Sequence, residues 1–472
     1  MRSVVALIVS SFILGSVLGA FHVHAGVFII VLCGCALFTY RIGLRIQHIV
    51  AVALLLLCGY AQASYAVFST HKTCTFTAGS PVVLGRIYAL SPKESRYVFN
   101  QNDDCSILVY APRFPVLVRG TRGILSGKHE TPQQAFSKLP EYAEFLLDGG
   151  IDYVVRTGNV EVIEKGSDPL DSFRVRVMSR IEHLFSEPDA SLLVAMLTGD
   201  QGMIPAHIKD IYRKSGITHI LSISGLHVSI IALVLGFCIR RIPLPGYMRV
   251  FVLAVFLWVY IIGVGAPASA VRAGVFWTLF SIGYQARALI GMLTVILITL
   301  AIILGVDPML TRSIGFELSV TAVCGIGIAL FFFRRVRLAP VWRVLGSALA
   351  VSVGATITTA PLTMYYFGTL SIVGLITNLL VVPLLPAITY LSIAALFVSE
   401  AFSGLGIAIA FLVHILMSWI LFVATALASI PYGHAEEVRI SLRAVLLYYA
   451  CLVAGIIGLM RYFKISWRQW WI

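Results

Sequence analysis

Residues 214–230 read KSGITHILSISGLHVSI, and the interpretation of the fold starts from them. The stretch is long and apolar enough to enter a bilayer, yet it contains two histidines and, after Ser215, four more hydroxyl side chains. Polar and ionisable groups at membrane depth cost free energy, so they usually face a protein interior or a water-filled cavity. We therefore expect function to reside in this stretch.

The composition is that of a membrane protein. Hydrophobic residues make up 59% of the 472 positions and charged residues 12%, and the mean hydropathy is +0.92, which excludes an ordinary soluble protein. A helix needs about 20 residues to cross a bilayer. Membrane helices are predicted at 3–20, 25–40, 47–66, 218–239, 248–264, 269–284, 289–305, 314–333, 344–366, 369–384, 385–400, 404–429 and 443–461. The first run also resembles a secretory signal, but two more runs follow at once, so we expect a retained helix.

The net charge of +13 can be explained by the membrane topology without a nucleic-acid partner. Basic residues gather in short loops, and the positive-inside rule predicts that such loops are cytoplasmic. These residues are Arg41, Arg45, Arg240, Arg241, Arg249, Arg334, Arg335, Arg337, Arg343, Arg461, Lys464 and Arg468. The charge alone is therefore weak evidence for DNA binding.

Residues 67–167 break the apolar pattern and predict a small extracytoplasmic β-rich domain. Strands are predicted at Val82–Leu90, Cys105–Tyr110, Pro115–Arg119 and Asp152–Ile163, and a short helix at Pro140–Leu147. Three crossings from a cytoplasmic Met1 place this domain outside, where disulfides persist. A bridge between Cys74 and Cys105 fits that location, and two separate thiols are the alternative. A basic patch of Arg113, Arg119, Arg122 and Lys128 could contact DNA, although a solvated face is the commoner role of such a cluster.

The remaining regions complete the predicted organisation. Three membrane helices over 1–66 precede the domain, amphipathic or interfacial helices over 168–215 follow it, and a polytopic region occupies 216–472. An amphipathic helix is predicted from Phe173 to Phe185, with shorter helices at 192–199 and 205–214. The five spans predicted after residue 344 would leave the basic tail outside. We therefore expect one of them, around 369–400 with Pro383 and Pro386, to be re-entrant or paired with a neighbour, since broken helices are tolerated at membrane depth when they are buried in protein.

Several polar groups accompany the opening stretch in the apolar half. Read as one helix, residues 218–239 place Thr218, Ser222, Gly225 and Ser229 on one stripe. Such a stripe suits either close helix packing or the wall of a polar passage. Arg272, Glu317 and Asn378 have similar alternatives: reaching the interface, interacting with a helix dipole, or joining helices.

Soluble catalytic signatures are missing from the sequence. It contains no phosphate-binding loop, no dinucleotide motif and no metalloprotease motif, and His22-Val23-His24 lacks the further ligands of a dinuclear metal site. Ser224 and His227 suggest a serine hydrolase, but no carboxylate near them orients the imidazole. We expect no enzyme activity, no cofactor and no metal.

The sequence resembles the ComEC-type competence membrane proteins. The similarity rests on SGITHILSISGLHVSI (215–230) and, in the same order as in that family, on LLVAMLTGD (192–200), YIIGVGAPASAVRAG (260–274), DPMLTRSIGFELSVTAVCG (307–325) and PLTMYYFGTLSIVGLITNLLVVP (361–383). In position, residues 67–167 are similar to the OB-like extracytoplasmic domain of that family.

The resemblance implies a channel in the cytoplasmic membrane for single-stranded DNA during natural transformation. The positions that match the family are His219, Ser224, Gly225, His227, Arg272, Ser319 and Asn378. Ser222 and Glu317 depart from the residues most members have, and both stay candidates for the DNA path. Implied partners are single-stranded DNA, membrane lipid, a DNA receptor outside and a separate motor or DNA-binding proteins inside. Many members carry a metallo-β-lactamase-like domain after this region, so any nuclease is expected to be a separate protein. A transporter of small polar or anionic solutes and an intramembrane hydrolase are the alternatives.

Overall fold

The computed structural model describes residues 13–14, 16–17, 55–63, 80–90, 94–101, 105–112, 117–125, 128–137, 143, 146–147, 151–156, 160–286, 292–336 and 339–463. Most of the three helices predicted over 1–66 lies outside these residues. Residues 55–63, inside the predicted span 47–66, are helical.

A seven-stranded sheet forms the β domain. Its strands are β1 (Pro81–Leu90), β2 (Glu94–Gln101), β3 (Cys105–Pro112), β4 (Arg122–Leu125), β5 (Lys128–Glu130), β6 (Tyr153–Arg156) and β7 (Val160–Glu164), in the order β5-β6-β3-β2-β1-β4-β7. A short helix, α1 (Pro132–Ala135), lies between β5 and β6. Strands β3 and β6 are parallel, and the other neighbours are antiparallel.

Strands β4 and β5 lie near opposite ends of this strand order, although only residues 126 and 127 separate them in sequence. Alternate residues of the strands, such as Tyr97, Phe99 and Ile107, are fully buried in the main core. Their neighbours Val98 and Leu108 pack in a second cluster on the opposite face.

The predicted strands are confirmed in part. Two strands divide the predicted 152–163 strand, and β2 was not predicted because its sequence, ESRYVFNQ, is largely polar. The strand predicted at Pro115–Arg119 is wrong. Its described part, residues 117–119, is not a strand and leads into a turn at Gly120, which has a φ of +84°, and strand β4 begins at Arg122. Residues 143, 146 and 147 of the helix predicted at Pro140–Leu147 are helical.

Three helices connect the β domain to the apolar half, as predicted: α2 (Pro169–Leu184), α3 (Asp189–Thr198) and α4 (Ala206–Lys214). The Asp168 carboxylate caps α2 by accepting hydrogen bonds from the backbone N–H groups of Leu170 and Asp171. Helix α3 is buried along nearly its whole length. Helix α2 contacts both regions, because Arg119 of the β domain approaches Asp171 and Arg180 pairs with Glu400.

The apolar half is helical. Its helices are α5 (Gly225–Arg240), α6 (Gly246–Gly263), α7 (Ala268–Gln285), α8 (Met292–Val306), α9 (Ile314–Phe333), α10 (Pro340–Phe367), α11 (Gly374–Val381), α12 (Leu385–Ala401), α13 (Ser403–Ala428) and α14 (Leu442–Tyr462). Strands β8 (Leu370–Ser371) and β9 (His434–Ala435) pair beside them. Among the described residues, six helical segments are long and apolar enough to cross a membrane. The predicted fold class, a polytopic helical membrane protein with a β-rich domain, is confirmed.

Two predicted spans merge into one. The helices predicted at 369–384 and 385–400 form a single helical segment, 374–401, in which a 3₁₀ turn at Val382–Leu384 joins α11 to α12. Pro383 lies in this turn and Pro386 in the first turn of α12, so both lie where a missing N–H is tolerated. The span count after residue 340 is therefore four instead of five.

Candidate channel-lining site

The stretch 214–230 is broken, so the prediction of one continuous helix over 218–239 is wrong. A 3₁₀ turn covers Thr218–Leu221, Ser222 is extended, and α5 begins only at Gly225. Serine side chains compete with helical hydrogen bonds, and Ser224 serves as the N-cap of α5. Thr218, Ser222, Gly225 and Ser229 therefore do not form one helical stripe.

His227 takes part in this cap. Its Nδ1 atom accepts a hydrogen bond from the Ser224 backbone N–H at 3.3 Å, and the Ser224 Oγ lies 3.1 Å from the same atom. Because Nδ1 is an acceptor, the proton of the neutral ring resides on Nε2. The side chain is 1% exposed, and its Nε2 has no hydrogen-bond partner among the described residues. The cap thus holds an N–H donor that no described protein group uses.

His219 and Ser222 occupy the preceding turn. The Ser222 hydroxyl donates to the His219 carbonyl at 3.3 Å. The His219 side chain is exposed, whereas His227 in the following turn is buried.

Helix α7 packs against the broken stretch. The Ser269 hydroxyl donates to the Ile223 carbonyl, and the Trp277 indole N–H donates to the Ser229 hydroxyl at 2.9 Å. A Cβ on Gly225 would lie 3.7 Å from the Cβ of Ala273, which is an ordinary contact. The start of α5 therefore lies along α7.

Arg272 of α7 joins this helix to α9. Its Nε donates to the Ser319 hydroxyl at 3.3 Å, and one terminal nitrogen donates to the Gly315 carbonyl at 3.0 Å. The guanidinium lies over the Phe316 ring, 5.4 Å from its centroid. Arg272 is 8% exposed, so it does not reach outward to the interface, and its other terminal nitrogen is buried without a partner among the described residues.

Glu317 and Asn378 join further pairs of helices. The Tyr366 hydroxyl of α10 donates to a Glu317 carboxylate oxygen of α9 at 2.9 Å. The Asn378 amide nitrogen of α11 donates to the Ser352 hydroxyl of α10 at 3.4 Å, and the Asn378 Oδ1 has no partner among the described residues.

These contacts form a closed circuit of helices, α5–α7–α9–α10–α11/α12–α5. The last link is the Tyr390 hydroxyl of α12, which donates to the Ile230 carbonyl of α5. Every neighbouring pair in the circuit is joined by a polar side chain, and three links use predicted candidates: Arg272 with Ser319, Glu317 and Asn378. The candidates thus lie at successive helix interfaces around one ring. His219, Ser222, Ser224 and His227 lie at the start of α5 in that ring.

Four partner residues in the circuit were not among the candidates predicted from the sequence. The partners Trp277, Ser352, Tyr366 and Tyr390 lie in apolar runs and look like ordinary lipid-facing or core residues. A tyrosine or tryptophan in such a run carries one polar atom that needs a partner when buried, and that requirement is the signal that could have identified them.

A second buried polar pair lies outside the circuit. Asp189, 4% exposed at the start of α3, lies 2.6 Å from the Nδ1 of His414 in α13. Burial raises the pKa of the Asp189 carboxyl, and the hydrogen bond with His414 opposes this effect. A cavity of about 740 Å³ lies close to this pair, between α2, the α3–α4 connection and α13, and none of the predicted candidates lines it.

The predicted outer basic patch does not appear as one unpaired surface. Arg122 approaches Glu164 at 3.6 Å, Lys128 pairs with Glu130 at 2.7 Å, and Arg119 lies 3.9 Å from Asp168 and Asp171. Arg113 lies outside the described residues. These ion pairs favour the alternative of a solvated face.

The predicted disulfide and the absence of a metal site stay predictions. Cys105 is disulfide-bonded, but Cys74 lies outside the described residues. Within the described part of the chain, no three His, Cys, Asp or Glu side chains are grouped as metal ligands. His22 and His24 are not described.

Comparison with known proteins identifies three similar proteins. ComE operon protein 3 of Bacillus subtilis (strain 168) is 28% identical over 55% of this chain and 33% of its own length. Recombination protein 2 of Haemophilus influenzae is 27% identical over 41% of this chain and 26% of its own length. Uncharacterized protein YcaI of Escherichia coli (strain K12) is 26% identical over 47% of this chain and 31% of its own length. The matches thus span only about a quarter to a third of these relatives.

No solved structure matches the chain. The family model described as "Competence protein" matches residues 196–462, which include the broken stretch and the whole circuit of helices. That match covers more than half of the chain, and the protein therefore belongs to the competence protein family.

Proposed function

We propose that the protein is a channel through which single-stranded DNA crosses the cytoplasmic membrane during natural transformation, and that it has no catalytic activity of its own. The observation that carries the proposal is the closed circuit of helices with two buried, unused donors, the Nε2 of His227 and a terminal nitrogen of Arg272. Membership of the competence protein family supports it.

The physical requirement for such a channel is a wet interior. A DNA strand carries one negative charge per nucleotide, and a hydrocarbon core excludes it. Hydroxyl, imidazole and guanidinium donors on the wall would replace the water that hydrates each phosphate. His219, Ser222, Ser224, Gly225, His227, Arg272, Ser319 and Asn378 are the proposed wall residues. Glu317 would be tolerated because Tyr366 donates a hydrogen bond to its carboxylate.

The proposed location is the cytoplasmic (inner) membrane, with the β domain outside. Counting 374–401 as one crossing gives four crossings after residue 340, so the basic residues after Tyr462 return to the side of the 334–339 loop, as the positive-inside rule requires. A cysteine at Ser80 should react with an impermeant thiol reagent in intact cells or spheroplasts. Protection of that cysteine until the membrane is opened would contradict this topology.

Proposed partners are those that such a channel needs. Single-stranded DNA is the transported molecule, and lipid surrounds the helices. A DNA receptor would deliver DNA outside, and a motor or DNA-binding proteins would capture it inside. Degradation of the second strand would be the task of a separate nuclease.

The contact between Ser224 and His227 favours one other function, an intramembrane hydrolase. In a hydrolase, the ring nitrogen that does not contact serine is oriented by a third group. Here the Ser224 backbone N–H shares the same Nδ1 atom, and no described carboxylate contacts Nε2. The geometry is therefore that of a helix cap.

The decisive experiment uses purified protein in liposomes that contain a single-strand-binding protein as an internal trap. A fluorescent single-stranded oligonucleotide is added outside, and external nuclease removes whatever has not entered. We expect protected fluorescence with the wild-type protein and a loss of about tenfold or more in His227→Ala. The matched control is His183→Ala, which removes an exposed histidine of α2.

The outcomes separate the alternatives. Equal protection in His227→Ala and the wild type would remove the site assignment. Entry of a small fluorescent anion without entry of the oligonucleotide would contradict DNA transport and favour the solute transporter. In cells, deletion of the gene should abolish uptake of labelled DNA in a transformation assay.

A further inference from the structure

A row of basic and aromatic residues crosses four strands of the β domain. Arg96 of β2 pairs with Tyr110 of β3, Tyr110 pairs with Arg156 of β6, and Arg156 pairs with Lys128 of β5. Residues paired directly across strands project from the same face of a sheet. The four side chains therefore form one continuous row, although they are far apart in the sequence.

The row lies on the face opposite the main core. Tyr97 and Val109, adjacent to Arg96 and Tyr110 in sequence, are buried in that core. On the face of the row, the small cluster around Val98 and Leu108 covers the neighbouring positions. Arg156 and Lys128 are exposed, and Arg96 and Tyr110 are half-buried. The row thus remains accessible beside a packed cluster that keeps the strands rigid.

Two guanidinium groups flank the tyrosine. The Arg96 guanidinium carbon lies 5.2 Å from the centroid of the Tyr110 ring, and that of Arg156 lies 5.9 Å from it. Among the described side chains, no carboxylate forms an ion pair with Arg96 or Arg156. Arg96 and Arg156 differ in this respect from Arg119 and Arg122, whose charges are matched by acidic partners on the β4 side of the domain. They also differ from Lys128 at the end of the row, which pairs with Glu130 at 2.7 Å.

The positive charge of Arg96 also acts on helix α4. Burial and the positive charge of Arg96 lower the pKa of Lys209, and Asp200 opposes this effect.

We propose that Arg156, Tyr110 and Arg96 form a track on the β domain that binds single-stranded DNA. Guanidinium groups bind phosphate in a bidentate manner, and an aromatic ring stacks with any base, so the track is selective for a single strand but not for its sequence. The inference rests on the proposed function, since it names the surface by which the transported strand approaches.

The test is equilibrium binding of a fluorescent oligothymidine to the full-length protein in detergent micelles, measured by anisotropy over a series of salt concentrations. In the double variant Arg96→Gln/Arg156→Gln we expect affinity to fall about tenfold or more. The slope of log affinity against log salt should shrink by about 1.4, since each phosphate contact contributes about 0.7 for a single strand. Tyr110→Leu should weaken binding by about tenfold without changing this slope, because stacking carries no charge.

The matched control is Arg122→Gln, which removes one positive charge from the same domain outside the row. It should bind as the wild type does, and equal loss in Arg122→Gln would overturn the track in favour of a diffuse charge effect. Arg96→Lys/Arg156→Lys should restore the salt slope. Thermal unfolding of each variant identifies any that fail to fold. If the glutamine double variant does not fold, the test compares the wild type with Arg96→Lys/Arg156→Lys, which keeps both charges but loses the bidentate guanidinium contacts.

Two further outcomes are decisive. Equal or tighter binding of a duplex would contradict a single-strand track. A double variant that keeps its affinity for the oligonucleotide and loses only its binding to vesicles rich in anionic lipid would contradict it as well. His227→Ala should bind the oligonucleotide normally, because its effect belongs to transport. Row-dependent binding without any transport in liposomes would therefore refute the channel and leave the track standing, whereas transport that is unaffected in the double variant would refute the track alone.

Discussion

In the β domain, Arg122 lies at the surface with 61% of its side chain exposed and approaches a glutamate that is equally exposed, whereas in the helical half Arg272 is 8% exposed and lies between two helices. Arg122 remains in contact with water in the folded protein, so its guanidinium stays in a polar environment. Arg272 is buried between helices and finds its partners on a neighbouring helix. The same residue type is therefore a surface feature in one region and a joint between helices in the other.

The apolar residues show the reverse arrangement. In the β domain, the large side chains of Tyr97 and Phe99 are fully buried. In the helical half, only 6% of the apolar window of α14 and 11% of that of α9 is buried inside the protein, so most of each window lies on the protein surface. Helices in lipid associate through close packing and hydrogen bonds, since lipid is as apolar as their side chains. Small residues and polar contacts should thus matter most in this half.

The largest expected effect comes from the close approach of α9 and α10. A Cβ at Gly325 would lie 2.2 Å from the Gly354 carbonyl oxygen, so Gly325→Leu must force the two helices apart. We expect the free energy of unfolding to fall by more than about 3 kcal/mol, which is enough to prevent folding. Gel filtration of the fluorescently tagged protein would detect the misfolded variant as aggregate. Gly327→Leu, on the same helix with open space around it, is the control. A monodisperse Gly325→Leu protein would show that this packing is unimportant.

The next effect concerns Arg272. Arg272→Leu removes two hydrogen bonds between α7 and α9, and hydrogen bonds to charged groups contribute about 1.5–3 kcal/mol each. Because desolvation of the charge offsets part of that contribution, we expect a net loss of about 2–3 kcal/mol in thermal unfolding together with loss of DNA transport. Arg272→Lys should keep the charge but not both bonds. Arg241→Leu removes an exposed arginine, and a destabilisation of the same size there would contradict the distinction between the two regions.

The same chemical deletion can be made in both regions. Tyr97→Phe removes the acceptor of the buried Leu117 N–H in the β domain, and Tyr366→Phe removes the donor to the Glu317 carboxylate in the helical half. Each substitution should lower the free energy of unfolding by about 1–3 kcal/mol, because a buried polar group loses its partner. Adding Glu317→Gln should rescue Tyr366→Phe, since a neutral amide tolerates burial better than an unpaired carboxylate. Failure of this rescue would mean that Glu317 has other partners.

The sequence predicted the helical half well because apolar length is a local property. The span predicted at 314–333 coincides with α9, and most other bounds differ by one to a few residues. What it could not predict is which distant residues meet. The contact between Arg272 and Ser319, and that between Tyr390 and Ile230, depend on how the helices pack around one another.

Two local errors have physical causes. Residues 218–239 are apolar enough for one helix, but Ser224 and His227 satisfy each other's polar groups in a cap, so the helix starts late. Strand β2 is largely polar, and its alternation emerges only when Tyr97 and Phe99 are known to be core residues.

The smallest expected effect tests whether α4 belongs to the water-exposed region. Asp210 of α4 lies 2.9 Å from the Lys214 ammonium and 2.6 Å from the Arg213 guanidinium, and hydrogen bonds from Lys214 and Arg213 hold its pKa below the ordinary 3.8. A carboxyl whose pKa is lowered by folding contributes stability above its unfolded pKa, and this contribution is lost as the pH falls through the lower folded pKa.

For exposed pairs the contribution is at most about 1 kcal/mol. Asp210→Asn should therefore lower the free energy of unfolding only slightly and by the same amount at pH 5 and pH 7. The difference from the wild type should shrink below about pH 4, where the wild-type carboxyl also becomes neutral, and in high salt at any pH, as expected for charges in water. A difference that persists in high salt, or that changes between pH 6 and pH 8, would instead place this ion pair in an environment shielded from water.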